Sequence, residues 1–442
     1  MARPITLLAS DASAHTGNHG VMAVVSGSSF VLVKTQDKSA PVTVNTDALA
    51  AHAHAQPIRA LAFSPDGQFL ATTGEDKILK VWATADGKQV SERVLEKRAV
   101  EVCVTPDNAT VVVADKHGDA WAYPLRLQSG TTSTKPGDDG KIIAGHVSMV
   151  TACKLVANGT RLLTADRDEK VRVSRYPASF VVEGWLLSHS QFVAHIAPIG
   201  ASETVATAGG DDWVGLWDWR SATLLARGDL RGSLGLDAAP AATKEESTTT
   251  AAAPKIAVRA LVSHTDHIAA VVEGLDRVVV FRGATSGTLD LDRVVTVPAA
   301  IGQVLTAAYD AAGRLWLGGV GGLCVVDPKT HAVTAVPVSA GFGADAEVPV
   351  IADIYQYETL RKSLDFDEFG EEIGGGADAG GDEAAEEAKR AAVASKRKRQ
   401  KAAKAEAKAA AKAAKEVNAT ATAPAATAAD GDASPKAKRA RI

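Results

Sequence analysis

Four side-chain markers recur along this chain at fixed intervals, and that recurrence limits the fold more than any other property. His54, Thr72, Asp76 and Trp82 form one set, His146, Thr164, Asp168 and Ser174 a second, and His189, Thr207, Asp211 and Trp217 a third. In each set the first and third residues are 22 positions apart, Thr precedes Asp by four, and the last marker follows Asp by six. A fourth copy keeps the frame without the polar markers. Its Pro106-Asp107-Asn108 matches the Pro65-Asp66-Gly67 turn at an offset of 41, which carries Trp82 to Tyr123. Weaker copies follow around 261–283 and 304–327, and GVMAVVSGSSFVLVKT near the N-terminus reads as two further strands. A period of about 40 residues means stacked supersecondary units rather than one irregular core.

Within a unit, RALAF, QFLATT and ILKVW are short apolar runs of β type, punctuated by SPDG and GED. Four short strands opened by a His and closed by Trp-Asp or a relative of it form the WD40 blade pattern. Gly145-His146 and Trp217-Asp218 are its literal opening and closing pairs. Six or seven units fit into 1–345, so the expected fold is all-β, a seven-bladed WD40 β-propeller whose N-terminal strands complete the last blade. Closing the ring removes long exposed sheet edges. Segments 128–141 and 231–255 read as low-complexity insertion loops between blades.

His, Thr and Asp at fixed spacing resemble a base, a nucleophile and an orienting acid. A catalytic set occurs once in a chain, however, and this one occurs three times. Its expected role is structural, a hydroxyl and a carboxylate satisfying a buried imidazole in each blade. The glycines of 318–322 lack GxGxxG spacing and a following helix, and read as a tight turn. His52 with His54, and His264 with His267, lack a third ligand, so no metal is expected. Cys103, Cys153 and Cys324 are odd in number and widely spaced, which argues against a disulfide framework and for a reducing compartment. Neither a nucleophile elbow, a P-loop nor a methyl-donor site is present, so the chain is expected to catalyse nothing and to bind no cofactor. No apolar run reaches the ~18 residues of a membrane helix, and the first residues are too polar for a signal peptide; a soluble protein is expected.

The second set departs from its neighbours. Ser174 stands where Trp82 and Trp217 close the others, and the strand before it reads TADRDEKVRVSRYP. Alternation puts Val171 and Val173 on one face and Lys170 and Arg172 on the other, with Arg167 and Arg175 nearby. Such a basic face either guards a sheet edge or recognises carboxylates or phosphates. This segment, preceded by GHVSMVT and followed by W-L-x-S-H-x-x-F-V, closely resembles the WD-repeat, non-catalytic subunit of the eukaryotic tRNA (guanine-N7) methyltransferase, and DKHGD at 115–119 resembles that family's preceding blade. The resemblance is specific over 142–220 and generic elsewhere. It implies a scaffold that binds and stabilises a separate catalytic subunit as a heterodimer. That partner would use S-adenosylmethionine to methylate a guanine in the tRNA variable loop. It also implies that Arg167, Lys170 and Arg172 face this partner, with Arg172 in an ion pair to a partner carboxylate. The competing class is a generic WD40 adaptor in another nuclear assembly, for chromatin or ribosome biogenesis.

The net charge of -4 hides a segregated tail. Residues 363–387 hold ten acidic and no basic side chains, the core of an acidic linker spanning 346–387. Residues 388–442 hold 15 basic and 4 acidic ones in an Ala/Lys-rich tail, whose lack of core-forming side chains predicts disorder or a lone solvated helix. Arg397, Lys401, Lys404 and Lys408 fall on one face of such a helix and could track an RNA backbone. Lys396-Arg397-Lys398-Arg399 and Pro435-Lys436-Ala437-Lys438-Arg439 resemble nuclear import signals, which places the chain in the nucleus, with a cytoplasmic pool allowed. Deleting 388–442 should leave the heterodimer intact and reduce nuclear accumulation of a fluorescent fusion; unchanged localisation would remove the import reading.

Overall fold

Short β-branched runs divided by tight turns pair with their sequence neighbours, because a hairpin closes at far lower entropic cost than a long-range pairing. The computed structural model describes residues 4–10, 20–35, 53–127, 132–200, 202–236, 254–337 and 357–361. Seven antiparallel meanders result. The first has three strands, β1 (Leu7–Ser10), β2 (Val21–Ser26) and β3 (Ser29–Lys34). The second contains β4 (Ile58–Phe63), β5 (Phe69–Gly74), β6 (Ile78–Ala83) and β7 (Gln89–Val94). The third has β8 (Ala99–Val104), β9 (Thr110–Asp115), β10 (Asp119–Pro124) and, after β11 (Thr132–Ser133), β12 (Lys141–Gly145). Blade four consists of β13 (Val150–Val156), β14 (Arg161–Asp166), β15 (Lys170–Arg175) and β16 (Val182–Leu187). Blade five runs β17 (Val193–Pro198), β18 (Thr204–Gly209), β19 (Trp213–Asp218) and β20 (Thr223–Asp229), followed by the helical turn α1 (Leu230–Ser233). Blade six is β21 (Val258–His264), β22 (His267–Val272), β23 (Arg277–Arg282) and β24 (Asp290–Thr296); blade seven is β25 (Val304–Tyr309), β26 (Leu315–Gly319), β27 (Gly322–Val326) and β28 (Val333–Val336).

The seven-bladed ring matches the expectation, but its closure does not. β1, β2 and β3 form a blade of their own, and β25–β28 complete the last blade unaided. The ring therefore shuts by packing rather than by a strand shared between first and last blades. Ile5, Leu8, Met22 and Val24 of the first blade meet Ala308, Trp316 and Leu323 of the last in one apolar cluster. Each of the other six seams has its own cluster, such as Leu163, Val171 and Val173 against Val205 and Trp217 between blades four and five.

Around the central channel the innermost strands are also stitched by polar bonds. Glu101 Oε2 on β8 accepts from the Cys153 amide of β13 at 2.9 Å, and the Thr151 hydroxyl of β13 donates to the Val193 carbonyl of β17. His195 of β17 donates to the Val258 carbonyl at 3.1 Å, Arg259 of β21 to Leu305 at 2.9 Å, and the Leu8 amide of β1 to Thr306 Oγ1 at 3.1 Å. Between blades two and three, Glu75 holds both Arg59 Nε (2.5 Å) and Arg98 Nη1 (2.6 Å). The Ile58 amide reaches Gly27 at 2.9 Å between blades one and two. Burial, followed by repulsion from Lys154, pushes the His195 imidazole down to about 3, so it serves this ring as a neutral donor.

Two boundaries moved. Within the low-complexity insertion 128–141, β11 adds in parallel to β7 as a fifth strand of blade two, with Ser133 beside the buried Arg93. The compact unit runs to Lys362 rather than 345, because Tyr357–Leu360 forms a 3-10 turn packed on the ring. Residues 237–253 of the second insertion and everything after Arg361, including Arg397, Lys401, Lys404 and Lys408, lie outside the described residues. The seam that lacks a shared strand should be sensitive to its polar stitch. Thr306→Val, which leaves the Leu8 amide buried without an acceptor, should lower stability by ~1–3 kcal/mol in urea unfolding. Thr306→Ser should restore it; a wild-type midpoint for Thr306→Val would contradict the role given to this bond.

Candidate functional site

The recurrent polar set forms a hydrogen-bonded relay inside blades two and five. Trp82 Nε1 donates to Thr72 Oγ1 at 2.9 Å, Thr72 lies 2.9 Å from His54 Nε2, and His54 Nδ1 lies 3.0 Å from Asp76. Trp217, Thr207, His189 and Asp211 repeat it at 2.8, 2.7 and 2.7 Å. Because a carboxylate only accepts, Nδ1 donates to the aspartate, and Nε2 faces the Thr hydroxyl. Burial is the largest single influence and raises the Asp76 and Asp211 pKa values, but the bonds and charge of His54 and His189, joined by donors such as the Ile78 and Ser190 amides, together hold both below the usual range. His54, Thr72, Thr207, His189 and Asp211 are buried, so the relay lies inside its blades.

In blade four the expected member Asp168 is replaced. His146 Nδ1 bonds Asp166 at 3.2 Å, while Nε2 lies 2.7 Å from Thr164 as foreseen. The cause is the residue that ends the second strand. Blades two and five place Gly74 and Gly209 there, and a Cβ on Gly74 would lie 2.7 Å from Asp76 Oδ1 and 3.1 Å from His54 Nδ1. In blade two glycine thus makes room for the aspartate of the following turn, whereas a Cβ on Gly209 would meet the Phe192 carbonyl. In blade four the strand ends in Asp166 itself, whose Oδ2 takes the imidazole and whose Oδ1 caps the Asp168 and Lys170 amides. Blade three follows suit: Asp115 accepts from His117, Asp119 and Trp121 Nε1.

The charged strand β15 is third in its sheet, paired on both sides with β14 and β16, so it guards no edge. Lys170 is exposed. Arg172 is not: it is 7% exposed, facing Thr164 across β14 and Trp185 across β16. Its Nη1 donates to the Gly145 carbonyl at 2.8 Å, and Nε and Nη2 have no hydrogen-bond partner among the described residues. Ser174 lacks the indole that donates to the threonine in blades two and five, and the Arg172 side chain lies on this same face of β15. Burial pulls the Arg172 pKa down, opposed by the nearby Asp166 carboxylate. The Arg167 Nε donates to the Leu360 carbonyl at 2.8 Å, a partner within the chain.

What spacing did not reveal is the outer strand. Of the nine large apolar side chains most exposed among the described residues, six belong to blade four and its loops: Val147, Phe180, Val181, Val182, Trp185 and Leu187. Phe180 is 69% exposed and Leu187 58%, and Leu187 and Trp185 stand opposite Lys170 and Arg172 in the ladder. Cross-strand partners share a sheet face, so β15 and β16 present basic and apolar groups together. A concentrated apolar strip on a free edge suits protein association. The sequence carried a trace of it in FVVEGWLL, whose apolar residues exceed what one buried face requires. No group of three or more His, Cys, Asp or Glu side chains that could hold a metal occurs among the described residues.

The chain matches the family described as the tRNA methyltransferase TRM82 WD40 domain over residues 31–140 and 128–315. It is 29% identical over 316 residues to the tRNA (guanine-N(7)-)-methyltransferase non-catalytic subunit trm82 of Sclerotinia sclerotiorum, covering 57% of this chain and 60% of that protein. It is 31% identical over 189 residues to the subunit named wdr4 of Dictyostelium discoideum, covering 40% of each. The WDR4 subunit of Mus musculus is 30% identical over 198 residues, covering 45% of this chain and 46% of that protein. The matched region therefore spans less than two thirds of these relatives' lengths. Among solved structures, the β-propeller domain of Myceliophteria thermophila Cps50 (Swd1) superposes with a TM-score of 0.54 at 12% identity, covering 74% of this chain and 96% of that one. A chain of the mitotic checkpoint complex gives 0.53 at 16%, covering 73% and 88%. These two likenesses concern the fold.

The exchange of carboxylates in blade four has a direct test. Asp166→Asn should destabilise the chain by ~2 kcal/mol, the scale of a buried charge-assisted bond, whereas Asp168→Asn should cost less than half as much. Thermal unfolding of the two variants checks this, and equal losses would refute the assignment to Asp166.

Proposed function

Since the chain belongs to the tRNA methyltransferase TRM82 WD40 domain family, with 31–315 matched, we propose that it is the non-catalytic subunit of a tRNA (guanine-N7) methyltransferase. In this reading the propeller binds and stabilises a separate catalytic subunit as a heterodimer. The partner binds S-adenosylmethionine and tRNA and forms N7-methylguanosine in the variable loop, while this chain contributes no cofactor and no catalytic group. The observation that carries the proposal is the apolar strip of β16, set against Lys170 within the segment TADRDEKVRVSRYP.

The docking surface follows from what each side chain is free to do. Trp185, Leu187 and Phe180 supply the apolar centre, because burying them removes their surface from water at roughly 25 cal/mol per Å2. Lys170 supplies a rim charge that orients an acidic partner and mainly accelerates encounter. Arg172 works from behind the surface as a positioning residue, tying β15 to Gly145 and holding the face on which Trp185 stands. The basic stripe at Arg397, Lys401, Lys404 and Lys408 adds salt-sensitive attraction for the tRNA backbone, and the neighbouring basic clusters direct the chain to the nucleus.

The surface separates from the scaffold by experiment. Leu187→Asp with Trp185→Asp should reduce recovery of the catalytic subunit by at least about tenfold, the equivalent of ~1.4 kcal/mol, and leave the melting temperature of the isolated chain unchanged. Lys170→Glu should weaken binding mostly at low salt. Arg172→Glu should lower the melting temperature of the chain alone. Undiminished recovery with the double substitution, or a mixed assembly containing no methyltransferase, would refute the proposal.

A further inference from the structure

Beyond blade seven, residues 338–356 lie outside the described set, and the chain is next described where Tyr357 and Leu360 line the mouth of a cavity shared with blades one to four and six. There Tyr357–Leu360 and Arg361 contact three consecutive blades. The Tyr357 amide donates to Glu273 Oε1 at 3.1 Å. The Tyr357 ring lies 5.0 Å from the His195 ring, and the Arg259 guanidinium is 5.8 Å from its centroid. Leu360 is 4% exposed, packed on Phe192, Ala194 and Ala257. Its carbonyl takes the Arg167 bond of blade four. Arg361 Nη2 donates to the carbonyls of Gly210 and Ile256 at 2.8 and 2.7 Å. Together with Arg59, Arg98 and Met149, the turn encloses a cavity of about 260 Å3.

These contacts have the character of a recognised peptide. An aromatic anchor lies against an imidazole and a guanidinium, an aliphatic anchor fills an apolar pocket, and one arginine nitrogen, Nη2, donates to two backbone carbonyls. Only five residues are involved, too few to fold by themselves, so their ordering must come from the surface they meet. We propose that the channel mouth is a binding site for a Tyr-x-x-Leu-Arg peptide and that its occupant is this chain's own 357–361 segment, docked in cis as a strap across blades four to six. The occupant is the chain's own because its backbone and side chains already satisfy Arg167, Glu273 and the Gly210 and Ile256 carbonyls.

Cleavage of the full chain tests this. A specific protease site placed within 346–352 severs the strap and everything after it from the propeller. With docking as described, the 357–442 fragment stays with the propeller through gel filtration. Leu360→Asp reduces its retention at least about tenfold, because leucine burial is worth more than that factor. Arg361→Ala reduces it less, and Leu360→Met retains it. Circular dichroism of the uncut variants shows the propeller folded in each case. Release of the unsubstituted fragment, or equal retention by Leu360→Asp, overturns the proposal. Neither readout involves the methyltransferase, so the strap can fail while the proposed function stands.

Discussion

The bonds that pass from one innermost strand to the next around the channel are the constraint on which the rest of the molecule depends. Apolar seams tell a blade that it must have a neighbour, but hydrophobic contact is non-directional and tolerates sliding. A side chain on one inner strand that meets a backbone group on the next sets height and rotation as well. Glu101, Thr151, His195, Arg259 and Thr306 each perform this task with different chemistry. Since each also satisfies a polar group removed from water, losing one costs more than the bond itself.

Such a frame leaves the outer strands comparatively free to vary. Blade two accepted a fifth strand from an insertion, and blade four exchanged a tryptophan for Ser174 without losing its place in the ring. That exchange had a local cost. An arginine entered the blade with two nitrogens unbonded among the described residues, while the outermost strand turned apolar residues to solvent. Both departures fall in one blade, and a blade that violates ordinary rules of burial twice is where function is expected.

Much of this was legible beforehand, and the failures have physical causes. The blade count followed from the repeat, since strand and turn chemistry are local. The relay of blades two and five was legible because its members lie at fixed offsets. Asp168 was misread because a gapless alignment compares positions, whereas the imidazole selects whichever carboxylate reaches it; the glycine or aspartate ending the second strand is the discriminating letter. Arg172 was placed outside because alternation defines two faces of a strand but not which of them a neighbouring blade covers. The strap was invisible to any periodic signal, being five residues of no repeat. The strand thought to complete the last blade could be located only from pairing, which sequence spacing does not encode.

A ring shut without a shared strand has a consequence for its birth on the ribosome. The first blade emerges with Met22 and Val24 directed at a neighbour that will not exist until Ala308, Trp316 and Leu323 have been translated, nearly 300 residues later. Through most of synthesis that face is open and apolar, and every intermediate with fewer than seven blades exposes it. The nascent chain thus carries an unpartnered apolar face through most of its synthesis, and that face is covered only when the circle is complete.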